Sequence, residues 1–224
     1  IVSAEALVRW FHEQKGFISP GQFIPALEKG GYISELDRYM IEKVTGCLDQ
    51  RRAEKKRFVP VSVNLSWMDF YDENMLEWIV RGLKKNNPNE QKIRFEITET
   101  SLAAIGENHT RMLMHLKENG AEILLDDFGS GYSSFGMLQD YDFDILKMDI
   151  SFVRNIGVNK KSESILRAII DMAHQLEIRL VAEGAETEEQ VAFLRENGCD
   201  YIQGYYYYKP MPEAEFLQLL EEGK

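Results

Sequence analysis

Residues 124–134 read Leu-Leu-Asp-Asp-Phe-Gly-Ser-Gly-Tyr-Ser-Ser, and they decide how the rest of the chain is interpreted. A short apolar run ends in two adjacent carboxylates, Asp126 and Asp127, and a turn rich in glycine and hydroxyl groups follows. Adjacent side chains on an extended strand point to opposite faces, so both carboxylates serve one site only where the strand is ending. The pattern indicates a divalent-metal site beside a loop that closes over it. A plain strand-to-helix turn with a capping aspartate explains this stretch alone equally well.

The size and composition favour a single globular domain. The chain has 224 residues, 44% of them hydrophobic, and α/β barrels commonly run to this length undivided. No linker-like segment interrupts residues 1–224, so they are expected to form one domain. This domain is expected to be part of a larger multidomain protein. Apolar runs of only a few residues predict no membrane contact by this domain. Cys47 and Cys199 lack metal-type spacing and are expected to be reduced, which favours a cytoplasmic location.

The net charge bears on the kind of ligand. It is −11 at pH 7. A chain without a basic surface patch is not expected to bind polymeric nucleic acid. A small phosphorylated ligand remains compatible with this charge, because bound divalent cations invert the local charge of an acidic site.

Short β-rich runs alternate with longer helical patterns along the chain, which is typical of βα units and a mostly parallel sheet. Seven such units are predicted, and their strands carry Glu5, Asn64, Glu96, Asp126, Lys147, Glu183 and Gln203. Seven is one short of a closed (β/α)8 barrel. We therefore expect a (β/α)8 barrel whose N-terminal segment, with the eighth strand, is absent from this chain. A seven-stranded or open sheet is the alternative.

The bounds of the predicted elements follow from periodicity and turn residues. Strands are predicted over residues 2–9, 58–66, 92–98, 121–127, 144–150, 179–184 and 201–207. Helices are predicted over about 20–28, 33–51, 74–85, 107–119, 134–139, 163–176, 187–197 and from 212 onward. A break is predicted at 86–89, and Gly120 is expected to end the helix before it. The last strand places the consecutive tyrosines Tyr205 to Tyr208 alternately toward the barrel and the helix layer.

Polar side chains fall near the C-terminal end of almost every predicted strand, where parallel barrels keep their catalytic groups. Singly, each has an ordinary explanation: Glu5 is solvated, Asn64 turns the chain, and Glu186 favours the start of the next helix. Lys147 and Asp149 are two residues apart and so share one strand face. Their ordinary explanation is a structural ion pair. Together, several converging carboxylates need compensation for their repulsion and desolvation. Bound metal ions supply it.

The donor atoms narrow the choice of metal. Every candidate ligand offers oxygen, and none of the four histidines falls at a predicted strand end, which disfavours zinc. Hard oxygen ligands suit Mg²⁺ or Mn²⁺. Two such ions roughly 3.5–4 Å apart form a recurrent clamp for phosphodiester hydrolysis. A carboxylate such as Asp126 is suited to bridge them.

Short motifs in a fixed order complete the pattern. They are Glu5-Ala6-Leu7, Asn64-Leu65-Ser66, Glu96-Ile97-Thr98-Glu99, Asp126-Asp127-Phe128-Gly129, Lys147-Met148-Asp149, Ala182-Glu183-Gly184-Ala185-Glu186 and Gln203-Gly204-Tyr205. In this order they resemble the EAL-domain family of cyclic di-GMP phosphodiesterases over essentially the whole chain. The resemblance implies a modified TIM barrel, without the N-terminal helix and strand that family members usually carry before the first motif. It also implies hydrolysis of cyclic di-GMP to linear pGpG in bacterial second-messenger signalling. A catalytically inactive cyclic di-GMP receptor and an unrelated metal-dependent barrel hydrolase are the alternatives.

The resemblance also implies the ligands of two Mg²⁺ or Mn²⁺ ions and the groups that act on water. The first ion is implied at Glu5, Asn64, Glu96 and Asp126. The second is implied at Asp126, Asp127 and Glu183. Lys147 is implied to position or help activate the attacking water, with Asp149 orienting Lys147 and Glu183 as a further candidate base.

Substrate contacts and partners are implied in the same way. Arg9 is expected to hold a ligand phosphate, and Glu186 and Gln203 to support the site. Glu99 is expected to anchor the loop 128–134, which in this family couples the active site to a dimer interface. A homodimer and a covalently linked GGDEF or sensory domain are therefore expected. His12-Glu13 replaces the family's common His-Pro, a difference expected to matter little.

Overall fold

The structure, a computed structural model, describes residues 1–85, 93–105, 110–131 and 134–223. The strands in these ranges are β1 (Ala4–Glu5), β2 (Trp10–His12), β3 (Gly16–Ile18), β4 (Val61–Asn64), β5 (Ile93–Thr98), β6 (Glu122–Phe128), β7 (Ile145–Met148), β8 (Arg179–Glu183) and β9 (Tyr201–Gln203). The α-helices are α1 (Pro20–Gly30), α2 (Ile33–Ala53), α3 (Glu73–Lys85), α4 (Glu99–Ile105), α5 (Thr110–Glu118), α6 (Ser134–Asp140), α7 (Ile150–Arg154), α8 (Lys160–Gln175), α9 (Glu188–Glu196) and α10 (Glu213–Glu221). A 3-10 helix spans Trp67–Tyr71.

The main sheet has the strand order β1-β4-β5-β6-β7-β8-β9, and β2 and β3 form a separate antiparallel hairpin. A parallel sheet of seven strands alternating with helices is the arrangement of a partial (β/α)8 barrel. The predicted fold class is therefore confirmed. Among the described helices, none has a stretch that is both long and apolar enough to cross a bilayer.

The described residues group into two compact units. The first comprises the described parts of 1–96, 107–121 and 211–224, and the second those of 97–106 and 122–210. In the first unit, β1, β4 and most of β5 pair in parallel. In the second, β6 to β9 pair in parallel. The buried side chains of Leu124, Ile145 and Val181 form a cluster there, and the partly buried Tyr201 packs against this cluster.

A buried arginine holds the last helix within the first unit. Arg51, in the last turn of α2, donates from Nε to the Arg57 carbonyl oxygen at 2.7 Å and from Nη2 to Glu221 Oε1 at 2.6 Å. A buried guanidinium is tolerated when its donors are paired, and these two bonds provide such pairing. Helix α10 is thereby joined to the end of α2.

Helix α7 packs directly on two glycines of the second unit. A Cβ atom on Gly184, where φ is +77°, would lie 2.1 Å from Ile150 Cγ1. A Cβ on Gly129, where φ is +88°, would lie 2.5 Å from Phe152 Cε2. Both positions therefore need glycine for conformation and for space. Helix α7 consequently touches the turn after β8 and the loop after β6.

Two predicted helix boundaries are confirmed. Gly120 has φ +88° and ends α5, as expected of a left-handed C-terminal residue. Helix α9 begins with a capping box, in which Thr187 Oγ1 accepts from the Gln190 amide and Gln190 Oε1 accepts from the Thr187 amide. The predicted break at 86–89 and the predicted helix start at 107–109 lie outside the described residues.

The first and last strands are shorter than predicted. Strand β1 covers only Ala4–Glu5, and the chain then turns into the hairpin that begins at Trp10. Glu5 and Arg9, which both fall in the predicted strand 2–9, therefore do not lie on one strand. The sequence also gave no indication of α4, α7 or the 3-10 helix, which are too short for a periodic pattern to reveal.

Strand β9 ends at Gln203, so the predicted alternation of Tyr205 to Tyr208 is wrong. Gly204 lies so close to Ala185 that a Cβ would be 2.2 Å from its carbonyl oxygen. That carbonyl accepts a hydrogen bond from the Tyr206 amide at 3.0 Å. The chain turns here, and the four tyrosines are exposed, because a tertiary backbone contact overrides their strand propensity.

Candidate active site

In the first unit, three of the predicted metal ligands lie at the ends of neighbouring strands. Asn64 and Glu96 are paired positions of β4 and β5, and Glu5 ends β1 opposite Ser62 of β4. Backbone hydrogen bonds continue past these ends, from the Leu65 amide to the Glu96 carbonyl oxygen at 2.8 Å. Glu96 is 1% exposed, whereas Asn64 is exposed and Glu5 is half-buried. Parallel register thus presents one amide and two carboxylate side chains from adjacent strands.

In the second unit, a buried lysine joins two carboxylates. Lys147 Nζ lies 2.7 Å from Glu183 Oε1 and 3.1 Å from Asp126 Oδ1, and the lysine side chain is 2% exposed. An ammonium group withdrawn from water is costly unless anions pair with it. Adjacent strands β6, β7 and β8 supply that pairing, one residue each. Three of the predicted site residues are therefore in contact.

The paired aspartates occupy an irregular end of β6. The register of β6 against β7 shifts between Leu125 and Phe128, and Asp127 has φ +56°. The Asp127 amide donates to Asp126 Oδ1 at 2.9 Å. A left-handed conformation at a residue other than glycine stores strain, and such residues cluster at functional sites. Asp126 is buried and Asp127 is exposed, so the irregularity gives adjacent carboxylates different surroundings.

Glu99 holds the backbone of the loop that follows β6. Its side chain is buried, and Oε2 accepts from the Gly129 and Gly131 amides, each at 3.3 Å. A Cβ on Gly131 would lie 2.7 Å from Glu99 Oε1, so a larger residue there would displace the Glu99 carboxylate or the loop. The loop residues Tyr132 and Ser133 lie outside the described part of the chain.

The remaining predicted residues border these groups. Gln203 is paired in register with Glu183 at the ends of β9 and β8. Asp149 lies just beyond β7 and caps α7, with Oδ1 accepting from the Ser151 amide at 2.9 Å. The sequence pattern placed Asp149 on one strand face with Lys147. The structure shows that this placement is wrong, because Asp149 lies beyond the strand.

Glu186 and Arg9 are both exposed, one in each unit. The Glu186 amide donates to Gln190 Oε1 at 2.7 Å. Arg9 donates from Nη1 to the neighbouring Val8 carbonyl oxygen at 2.8 Å. The exposed guanidinium is thus near its own backbone, and its proposed contact with a phosphate stays a prediction.

The donor chemistry fits a hard divalent cation, since the predicted ligands offer carboxylate and amide oxygens. Within the described ranges, no three His, Cys, Asp or Glu side chains converge in a metal-binding geometry. Between Asp126 and Glu183, the positive charge is that of Lys147. The predicted ligand sets therefore stay predictions.

Ile150 and Phe152, which pack on the two glycines described above, were not anticipated from the sequence. Asp37 and Asp69, buried beside Ser66 after β4, were not anticipated either. Only the Ser66-x-x-Asp69 capping box carries a recognisable local signal.

The fold and these groups define an α/β-barrel type of protein with acidic strand ends and a buried lysine among them. The chain belongs to the EAL domain family, whose model matches residues 1–210. EAL domains are in general metal-dependent.

Two relatives show how far the similarity extends. The chain is 34% identical over 216 residues to cyclic di-GMP phosphodiesterase NbdA of Pseudomonas aeruginosa, covering 96% of this chain and 28% of that protein. It is 36% identical over 214 residues to cyclic di-GMP phosphodiesterase PdeR of Escherichia coli, covering 96% and 32%. The chain therefore spans about a third or less of the length of these relatives.

Solved structures agree in fold. The PaMucR phosphodiesterase in complex with c-di-GMP has a TM-score of 0.82 and 32% identity, with 95% of this chain and 86% of that chain covered. The cAMP and cyclic-di-GMP bound form of the EAL enzyme Bd1971 has a TM-score of 0.84 and 30% identity, with 96% and 59% covered.

Proposed function

We propose that this chain hydrolyses cyclic di-GMP to linear pGpG with two bound Mg²⁺ or Mn²⁺ ions. Membership of the EAL family and relatives named cyclic di-GMP phosphodiesterases support the reaction class. The observation that carries the proposal is the contact of Lys147 with Asp126 and Glu183, all three of which are motif residues.

The proposed metal ligands are distributed over both units. Those in the first unit are Glu5, Asn64 and Glu96, and those in the second are Asp126, Asp127 and Glu183. When bound, the ions would lower the pKa of a water molecule and neutralise the charge on the phosphate oxygens. The oxygen donors of these side chains support this assignment, because a hard divalent cation prefers carboxylate and amide oxygens.

The chain's own residues would handle the proton and the geometry. Lys147 Nζ forms ion pairs with two carboxylates, which restrict the position of its ammonium group. In that position it would donate a hydrogen bond to the oxygen of the attacking water. Glu183, whose Oε1 is 2.7 Å from that ammonium group, would accept the proton of the water. Asp149 would keep the end of β7 in place through its cap on α7.

Arg9, Gln203 and Glu186 are proposed to contact or support the nucleotide. The structure supports Gln203 most directly, since it is paired with Glu183 in register. Glu99 is proposed to set the conformation of the loop after β6 through its two backbone contacts. A homodimer, a linked GGDEF or sensory domain and a cytoplasmic location belong to the same proposal.

The experiment that tests this proposal combines ligand variants with metal removal. Glu5→Ala and Asp126→Ala should each lower the rate of cyclic di-GMP hydrolysis by orders of magnitude while the circular dichroism spectrum is retained. Glu42→Ala, an exposed position in α2, should keep the wild-type rate. A near wild-type rate in either ligand variant would overturn the assignment. Binding of the nucleotide without turnover in the metal-loaded wild type would identify a receptor.

A further inference from the structure

Two carboxyl groups outside the proposed active site converge on one backbone amide. The Ser66 amide donates to Asp69 Oδ2 at 2.9 Å and to Asp37 Oδ2 at 3.1 Å. Asp69, in the 3-10 helix, is 0% exposed, and Asp37, in α2, is 7% exposed. Two carboxyl oxygens that share one N–H donor must lie close to each other.

A pair of buried carboxylates at this distance would repel strongly if both were ionised. A single proton between them removes the repulsion and supplies a hydrogen bond. Burial raises the pKa of Asp37 to about 9, and the charge of Asp69 adds to this effect. Burial also raises the pKa of Asp69, while hydrogen bonds from Asp37 and Ser34 lower it. Asp37 is therefore the proton donor and Asp69 the carboxylate that accepts.

Acidic groups on neighbouring elements add to the repulsion within the pair. Glu28 of α1 acts on Asp37, and Asp72, just beyond the 3-10 helix, acts on Asp69. Both are acidic and raise the pKa of the group that they face. The shared proton is thus the main compensation that the surroundings provide.

The pair is connected to the end of β4 by the backbone. Ser66 follows Asn64 by two residues, and between them the Leu65 amide is bound to the Glu96 carbonyl oxygen at 2.8 Å. Ser66 also caps the 3-10 helix, since its Oγ accepts from the Met68 amide at 3.2 Å. Two neighbouring amides therefore fix the turn after Asn64: that of Leu65 is bound to β5, and that of Ser66 is bound to the acid pair.

We propose that Asp37 and Asp69 are positioning residues that share one proton, hold the Ser66 amide and so fix Asn64 at the end of β4. The consequence for catalysis rests on the proposed role of Asn64 as a metal ligand. The consequence for stability rests on the acid pair alone.

The direction of the pH effect follows from linkage. An aspartate has a pKa of about 4 in an unfolded chain, and that of Asp37 in the folded protein is about 9. The folded state therefore binds more protons between these values, and stability falls as the pH rises through this range. An asparagine at position 37 keeps a neutral donor and acceptor at every pH, so it should remove this loss.

Thermal unfolding of the wild type and Asp37→Asn between pH 6 and pH 9.5 tests the shared proton. The wild-type midpoint should fall by several degrees more than that of Asp37→Asn over this interval. Glu42→Gln, an exposed acid on the same helix, should follow the wild type. Parallel loss in the wild type and Asp37→Asn would overturn the proposal. If Asp37→Asn does not fold, Asp69→Asn replaces it, and its midpoint should fall less than that of the wild type, because the charge of Asp69 no longer adds to the effect of burial on Asp37; an equal fall would overturn the proposal.

Hydrolysis measured over the same pH range tests the connection to Asn64. The rate of Asp37→Asn relative to the wild type should rise severalfold from pH 7 to pH 9.5, and Glu42→Gln should show a constant ratio. A constant ratio for Asp37→Asn as well would refute the positioning role. If the wild type does not hydrolyse cyclic di-GMP at any pH, the proposed function fails, and the unfolding midpoints still decide whether the proton is shared.

Discussion

Lys147 Nζ and Glu183 Oε1 lie 2.7 Å apart at the ends of the neighbouring strands β7 and β8. Lys147 is opposite Val181 in the register of these strands, so Glu183 reaches back by two residues toward it. Because the lysine is almost fully buried, its charge and that of the carboxylate depend on each other. This pair is the polar centre of the second unit.

Replacing the ammonium group of Lys147 should abolish turnover. Lys147→Met removes the positive charge between Asp126 and Glu183, so the two carboxylates repel and the water loses a donor. We expect the rate of cyclic di-GMP hydrolysis to fall at least 100-fold, a loss of roughly 3 kcal/mol of transition-state stabilisation. Steady-state kinetics provide the measurement. Lys160→Met, at the exposed start of α8, serves as the control, and equal rates for both variants would contradict the assignment.

The contact between Glu99 and the loop should be sensitive to a single methyl group. In Gly131→Ala, the new Cβ would approach Glu99 Oε1 to 2.7 Å, so the Glu99 carboxylate or the loop has to move and their contact is disturbed. Hydrolysis should therefore slow more than tenfold. In Gly136→Ala, nothing lies within 4 Å of the added Cβ, and the rate should be unchanged. A rate in Gly131→Ala that matches Gly136→Ala would show that the loop contact has no part in catalysis.

Metal selectivity should follow the size of the ion. Mg²⁺ and Mn²⁺ are expected to support hydrolysis, whereas Ca²⁺ should bind and inhibit, since its larger radius and looser coordination misplace the water. Rates measured with each ion alone, and with Ca²⁺ added to the Mn²⁺ form, test this expectation. Rapid turnover in Ca²⁺ alone would contradict the proposed coordination.

A left-handed residue at the end of α8 offers a test of stability apart from the site. Glu177 has φ +58°, and the bonds from its amide to the His174 carbonyl and from Ile178 to Ala173 close the helix. Because glycine adopts this conformation without a Cβ penalty, Glu177→Gly should stabilise the fold by roughly 0.5–1 kcal/mol. Denaturant unfolding measures the change. Glu42→Gly, inside α2, should destabilise by about 1 kcal/mol, and the same sign for both variants would refute this account.

Periodicity and strand-end chemistry predicted the parts of the structure that local sequence controls. The helix start at Thr187, the helix end at Gly120 and the positions of Glu96, Asp126 and Glu183 at or near strand ends all depend on residues within one βα unit. Of these residues, Glu96, Asp126 and Glu183 also belong to the motifs on which the family resemblance rests.

What the sequence did not predict depends on residues far apart in the chain. The proton shared by Asp37 and Asp69 requires α2 and the 3-10 helix to meet at Ser66. The turn at Tyr205 to Tyr208 is fixed by the approach of Gly204 to Ala185. The positive φ of Asp127 arises from a shift in strand register, which no local propensity encodes.

The most direct measurement of the central claim is chromatography of the nucleotide products after the purified protein is incubated with cyclic di-GMP and Mn²⁺. The proposed function predicts that pGpG accumulates with time, that EDTA stops it and that added Mn²⁺ restores it. Cyclic di-GMP that is bound by the Mn²⁺-loaded protein yet recovered intact would contradict the claim and identify the chain as a receptor.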